Sequence, residues 1–221
     1  MSQEVDLAVI GGGIHGCAVA RDAARRGLSV VLFERNDLAS ATSSASSKLA
    51  HGGLRYLENF QFRLVREGLR ERGQLLRNAP HLTRPLPFLL PIYEDGPWGK
   101  WMLQIGLNLY DWMGRRSQLG GHRWLDRDEC LELEPGLRPE GLRGAFRFFD
   151  AQVDDARLCV ENAIDAHAHG ASIHTHSEVC GLLIDGSTVR GVRVRDGEGV
   201  REVAARCVVN CAGPWVARVS D

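Results

Sequence analysis

The chain has 221 residues, 44% of them hydrophobic, enough for one good-sized core or two small ones. Its 27 Lys and Arg against 28 Asp and Glu leave a net charge of −1, so no global field for nucleic acid or another polyanion is implied. No run of about 18 apolar residues offers a transmembrane helix, and no signal peptide is expected ahead of the first predicted strand.

Val5–Ile10 reads as a buried parallel strand, and Gly11-Gly12-Gly13-Ile14-His15-Gly16 follows it directly. The three spaced glycines do different things. Gly11 permits the tight turn, Gly13 lets the backbone approach a pyrophosphate, and Gly16 lets the next helix lie close to the strand. That helix is expected over Ile14–Arg26, with Gly27 as its stop. Its N-terminus offers N–H groups and partial positive charge to phosphates. A second strand, Leu28–Phe33, delivers Glu34, which lies 23 positions after Gly11. That is close to the ~20-residue spacing at which a carboxylate accepts ribose hydroxyls. A carboxylate there disfavours a 2′-phosphate, so the pattern reads FAD or NAD before NADP. A ligand-free βαβ unit is the plainer alternative.

Residues 36–48 turn small, polar and rich in hydroxyls. They read either as a flexible linker or as a loop with a short helix wrapping phosphates, and the position just after Glu34 favours the second. His51-Gly52-Gly53 then marks a turn or a close backbone approach to something flat. Leu57–Arg77 is an expected helix, with Leu64, Val65, Leu69, Leu75 and Leu76 inward and Arg63, Arg66, Arg70, Arg72 and Arg77 outward. Leu86–Tyr93, bounded by prolines, reads as an edge strand. Trp98–Met113 is an unusually apolar helix, so it is either buried on most sides, the expected state, or in contact with lipid. The Trp and Tyr content and the following Arg115-Arg116 fit the second state. A short helix over Leu125–Pro135, a strand over Gly144–Asp150, a helix over Asp155–His169 and a strand over Ala171–Thr175 come next. Val179–Ala204 reads as a β-meander turning at Asp185-Gly186 and Asp196-Gly197. Cys207–Asn210 is a buried strand and Cys211–Trp215 a tight turn.

The six cysteines form no CxxC pair and read as reduced, mostly buried thiols in a cytoplasmic compartment, Cys207 and Cys211 included. His167, His169, His174 and His176 read as a solvated turn rather than a metal cluster, so no metal is expected.

Several stretches together resemble one family. The most selective is Ala41-Thr42-Ser43-Ser44-Ala45-Ser46-Ser47-Lys48-Leu49-Ala50-His51-Gly52-Gly53-Leu54-Arg55-Tyr56-Leu57-Glu58. Ala79–Leu82, Ile105–Leu107, Tyr110-Asp111, Val153–Leu158 and Asn210–Trp215 add to it. The chain resembles the aerobic, FAD-dependent glycerol-3-phosphate dehydrogenases of bacteria and mitochondria, within the D-amino-acid-oxidase-like fold. The resemblance implies a mixed α/β (α+β) chain with a Rossmann-like FAD-binding domain in a three-layer ββα arrangement and part of an inserted substrate or cap domain. The expected division is 1–85 and 151–221 for FAD and 86–150 for the cap. Gly11, Gly13 and Gly16 would face the pyrophosphate and Glu34 the ribose. Ser43, Ser44, Ser46 and Ser47 would surround the phosphates and ribityl chain. Lys48, Leu49, His51 and Gly52 would lie near the isoalloxazine, Val179 at the adenine, and Ala212 and Gly213 over the cofactor. Arg55 and Tyr56 match substrate-contacting positions, and His51 would serve as a base or a hydrogen-bonding group beside the ring. His15 stands where Asn or Thr is common in the family, and Cys17 where Ala is.

The implied reaction oxidises sn-glycerol 3-phosphate to dihydroxyacetone phosphate and passes electrons to a membrane quinone, on the inner-leaflet surface of the cytoplasmic membrane. A homo-oligomer stays open. The turn at Cys211–Trp215 reads as the start of a further segment, so the chain is expected to be the N-terminal portion of a longer protein. Three other readings stay open: another oxidase of the same fold, an NAD-dependent dehydrogenase, and an inactive binding module.

Overall fold

The computed structural model describes residues 4–114 and 119–220. Arg115 and Arg116, which the lipid-facing alternative invoked, lie outside the described residues. The chain separates into two units: one runs to Lys48 and resumes at Asp154, and the other is Leu49–Val153.

The first unit opens with β1 (Val5–Ile10), α1 (Ile14–Arg25) and β2 (Val30–Phe33). After the second unit it continues through α5 (Asp155–Ala168), β7 (Ser172–His174), β8 (Glu178–Asp185), β9 (Thr188–Asp196) and β10 (Gly199–Asn210), and ends in α6 (Val216–Ser220). Its six strands run in the order β7-β2-β1-β10-β9-β8. β7, β2, β1 and the end of β10 are parallel, which hairpin turns cannot connect and longer crossovers can. β10 is the joint of this unit, because its first half pairs antiparallel with β9 and its second half parallel with β1. The last strand of the meander and the strand expected at Cys207–Asn210 are therefore one continuous strand.

Strand alternation sends two sets of side chains to opposite faces. Leu7, Val9, Val30 and Leu32 meet Cys17, Ala20 and Ala24 of α1 and Cys159, Ala163 and Ala166 of α5. Ala8, Ile10, Val31 and Phe33 meet Val192, Val194, Val203 and Ala205 of the meander. Helices, parallel strands and meander make the three-layer ββα arrangement expected from the sequence. Small residues on α1 and α5 let both helices approach the sheet closely.

The second unit contains β3 (Leu49–Ala50), α2 (Phe62–Asn78), β4 (Thr83–Tyr93), α3 (Lys100–Gly114), β5 (Arg123–Leu125), α4 (Arg127–Leu133) and β6 (Leu142–Val153). The long β6 organises it, pairing antiparallel with β3, β4 and β5. The boundaries expected at 85/86 and 150/151 fall inside β4 and β6, since β3 and all of β4 depend on β6 for their hydrogen bonds. α4 begins with a capping box in which Asp126 accepts from the Glu129 amide and Glu129 accepts from the Asp126 amide.

Four expectations need correction. Residues 36–48 hold turns and no helix: Ser44 Oγ donates back to the Ala41 carbonyl and the Lys48 amide donates to Ser46 Oγ, local bonds that compete with a helical ladder. Arg72, expected outward on α2, is 3% exposed, drawn in by Asp150. α3 is not buried on most sides: Trp101 is 77%, Ile105 68% and Trp112 62% exposed, and only Leu107 and Tyr110 are buried. The cysteines are evenly divided, with Cys17, Cys130 and Cys159 buried, Cys180 and Cys207 exposed and Cys211 between. Cys207 faces the helical side of the sheet beside Leu7, but α1 and α5 cover β1, β2 and β7 rather than β10.

Candidate functional site

β1, β2 and β10 all end at one edge of the parallel sheet, where strand ends converge on ligands in doubly wound folds. A cleft of about 680 Å³ opens there within the first unit, a size suited to a small molecule or cofactor. Gly11, Gly13, Glu34, Ser43, Val179, Ala212 and Gly213 line it, bringing together seven residues singled out from widely spaced parts of the sequence.

The glycine turn has the shape its spacing implies. Gly11 sits at φ +106°, and a Cβ there would lie 2.5 Å from the Cys211 carbonyl oxygen. A Cβ on Gly16 would lie 1.9 Å from the Gly11 carbonyl oxygen, so α1 packs on the turn at backbone contact. Gly13 differs: its missing Cβ faces Ser43 Oγ at 3.2 Å and otherwise free space, leaving room for a ligand against the backbone. The Ile14 amide donates to Ser43 Oγ at 2.9 Å. Among the described residues, the His15 and Gly16 amides have no protein acceptor, and the α1 N-terminus suits an anion.

Glu34 has a second role that spacing did not reveal. The Gly12 amide donates to its Oε2 at 2.7 Å and the Asn36 amide to its Oε1 at 2.8 Å. The carboxylate thus ties the glycine turn to the end of β2, and each oxygen keeps a lone pair for a further donor such as a sugar hydroxyl. Beneath the turn, the Gly12 carbonyl accepts from the thiols of Cys159 and Cys17 at 3.3 and 3.5 Å and from the Ala39 amide at 3.0 Å. The neighbouring Cys159 thiol and burial push Cys17 up, so it stays a neutral thiol. Arg35 lies 4.3 Å over the Trp215 ring, and both line the cleft together with Arg218. These three were not singled out, although Arg35 follows Glu34 directly and Trp215 ends a quoted motif.

The serines divide. Ser43 lines the cleft, Ser44 Oγ donates to the Ala41 carbonyl at 3.1 Å, and Ser47 is exposed. Ser46 Oγ donates to Asp155 Oδ2 at 2.6 Å, and Lys48 Nζ pairs with Asp155 Oδ1, tying the serine segment to α5. Partial burial pushes the Asp155 carboxyl up, but hydrogen bonds from Lys48, Ser46 and the Ala156 amide, with the Lys48 charge, outweigh it and hold the group at about 2. A folded value below the unfolded ~3.9 stabilises at higher pH and loses that effect as pH falls toward the folded value. The stability difference between wild type and Asp155→Asn is therefore expected in full above about pH 5 and lost between about pH 4 and about pH 2. Urea unfolding at stepped pH measures it, and a difference that does not vary across that window would refute the tie.

In the second unit, Leu49 pairs with Gln152, His51 is exposed, and Gly52 and Gly53 are buried. Arg55 and Tyr56 stand exposed on the 3₁₀ turn Leu54–Asn59. The four spaced histidines go separate ways: His167 Nδ1 contacts the Ala171 carbonyl, His169 Nδ1 the Asp165 carbonyl, His174 stacks on Phe33 at 5.3 Å, and His176 is exposed. Among the described residues, no group of three or more His, Cys, Asp or Glu is placed to hold a metal ion.

Comparison with known proteins agrees with this geometry. Residues 6–221 match the family model DAO, FAD dependent oxidoreductase. A glycerol-3-phosphate dehydrogenase of Pseudomonas aeruginosa is 47% identical over 99% of this chain and 41% of its own length. A D-erythritol 1-phosphate dehydrogenase of Brucella abortus is 50% identical over 97% of this chain and 42% of its own. The chain thus spans about two fifths of the curated relatives it matches. Among solved structures, a glycerol-3-phosphate dehydrogenase from Bacillus halodurans complexed with FAD superposes with a TM-score of 0.75 at 34% identity, covering 98% of this chain and 36% of that one. A family match over nearly the whole chain makes this chain a member of the FAD-dependent oxidoreductases.

Proposed function

We propose that this chain carries the FAD-binding part of an enzyme that oxidises sn-glycerol 3-phosphate at C2 to dihydroxyacetone phosphate. The observation that carries the reading is the glycine turn held by Glu34 at the mouth of the 680 Å³ cleft. When bound, FAD supplies acceptance of the C2 hydride and onward transfer of the electrons. The chain's own residues bind and orient. Gly13 and the α1 N-terminus receive the pyrophosphate and Glu34 the adenosine ribose. Val179, Ala212 and Gly213 border the adenine end, and Ser44, Ser46 and Ser47 belong with Ser43 to the phosphate and ribityl segment. Lys48, Leu49, His51 and Gly52 face the ring. His51 holds or takes the C2 hydroxyl proton, since an imidazole ring can both donate and accept a hydrogen bond. Tyr56 borders the substrate, and Arg55 pairs with its phosphate, for which a permanently charged planar guanidinium is suited.

Both relatives at 47% and 50% identity bear names of phosphorylated-polyol dehydrogenases. The second reading, oxidation of D-erythritol 1-phosphate, is favoured by the higher of those identities. Electrons leaving to a membrane quinone fit the outward stripe of Trp101, Ile105 and Trp112, which repeats on one side of α3. Among the described residues no helix is long and apolar enough to cross a membrane.

The purified full-length protein should be yellow and reduce a dye with glycerol 3-phosphate faster than with erythritol 1-phosphate. A colourless protein would refute the cofactor assignment, and the reverse preference would select the second reading. Arg55→Ala should raise KM for the substrate about 100-fold, the loss of a charge-assisted pair, with FAD content unchanged. An unaltered KM would remove Arg55 from the substrate site.

A further inference from the structure

Arg72 is an arginine that helical periodicity assigns to solvent and the fold buries. Its Nη1 donates to Asp150 Oδ1 at 2.8 Å, with the two side chains 3% and 6% exposed. The same Nη1 reaches Tyr110 Oη at 3.3 Å and the Phe149 carbonyl at 3.4 Å. Tyr110 Oη in turn donates to Asp150 Oδ2 at 3.0 Å. Helix α2, helix α3 and strand β6 therefore converge on one carboxylate.

That carboxylate also reaches the backbone of the His51–Gly53 turn, where the Gly52 amide donates to Asp150 Oδ1 at 3.3 Å. Gly52 is enclosed on its other side. A Cβ there would lie 2.4 Å from both Leu69 Cδ2 and Tyr110 Oη. Gly53 follows in the left-handed region at φ +72°. Burial, with the Asp150 charge beside it, pushes the Tyr110 phenol up, so it remains a donor.

A buried ion pair is a poor device for stability alone, because desolvating two charges offsets their attraction and apolar replacements of similar shape are often as stable. A hydrogen-bonded polar cluster does define one geometry where an apolar contact would tolerate several. We propose that Arg72, Tyr110 and Asp150 are positioning residues that hold the His51–Gly53 backbone in the conformation needed for hydride transfer. The inference rests on the proposed function, in which this turn faces the flavin ring.

The test uses full-length enzyme in two forms, Tyr110→Phe, which removes one hydroxyl and keeps the ring, and the paired change Arg72→Met with Asp150→Leu, which removes both charges at once and keeps the core filled. Amide exchange over residues 49–57, read by mass spectrometry, is expected to quicken about tenfold in both. The visible circular dichroism of the flavin should change, and kcat should fall about tenfold with KM unaltered. A merely structural cluster would lower the melting temperature without that division between kcat and KM. Unchanged exchange over 49–57, or faster exchange with unchanged kcat and flavin spectrum, overturns the proposal and leaves the proposed function standing. A wild-type protein without flavin overturns both.

Discussion

Replacing Gly16 with alanine is expected to destabilise the first unit by about 3 kcal/mol or more, the upper end of what forced overpacking costs. The added Cβ would lie 1.9 Å from the Gly11 carbonyl oxygen and 3.0 Å from its carbon. Both are backbone atoms of a turn fixed between β1 and β10, so neither can swing aside as a flexible side chain would. Alanine's better helix propensity returns at most about 1 kcal/mol. Gly106 is the internal control, since it lies in α3 with nothing within 4 Å of its missing Cβ. There the same substitution should be neutral or stabilise by up to about 1 kcal/mol. Chemical unfolding of both variants measures the contrast. Equal effects at the two sites would mean that α1 does not press on the glycine turn.

Replacing Glu34 with alanine should weaken FAD binding at least about 100-fold, equivalent to about 3 kcal/mol. Two losses combine. The Gly12 and Asn36 amides lose their shared acceptor, at 2.7 and 2.8 Å, so the turn is no longer tied to β2. On the proposed reading the ribose hydroxyls lose theirs as well. Hydrogen bonds to a charged group are worth about 1.5–3 kcal/mol each, so either loss would register. Titration of apoprotein by flavin fluorescence quenching gives the affinity. Glu34→Gln divides the two contributions: its carbonyl can serve one amide, while its NH2 opposes the other donor. An affinity within about threefold of wild type in the alanine variant would remove Glu34 from the cofactor site.

The dinucleotide unit was legible because its information is local. Val5–Ile10, the spaced glycines and Glu34 lie within 30 consecutive positions, and their roles follow from strand burial, turn sterics and helix-end electrostatics. α4 was placed from its local sequence as well, but its start is Arg127 rather than Leu125, because the Asp126–Glu129 capping box sets it there. β3 and β5 were not legible, because strands of two and three residues exist only as partners of β6. Arg72 was misassigned because periodicity ranks side chains by polarity. Its burial depends on Asp150, 78 positions later, which no helical pattern can report. The exposed face of α3 stood only as the alternative to burial for a related reason: an apolar helix does not encode whether this stretch of chain covers it.

By itself, then, the order of residues determined that a strand, a glycine turn and an acid would form a dinucleotide-shaped corner near Val5, and that a meander would lead back to it. Those features depend on neighbours a few positions apart, where steric and hydrogen-bonding rules act without knowledge of the rest of the chain. Only the tertiary structure decided that Glu34 grips Gly12, that Ser43 alone among the four serines reaches the cleft lining, and that Arg72, Tyr110 and Asp150 close on Gly52. Each of these turns on which distant polar groups meet away from water, where an unpaired donor or charge is costly, and so the completed packing settles the partner.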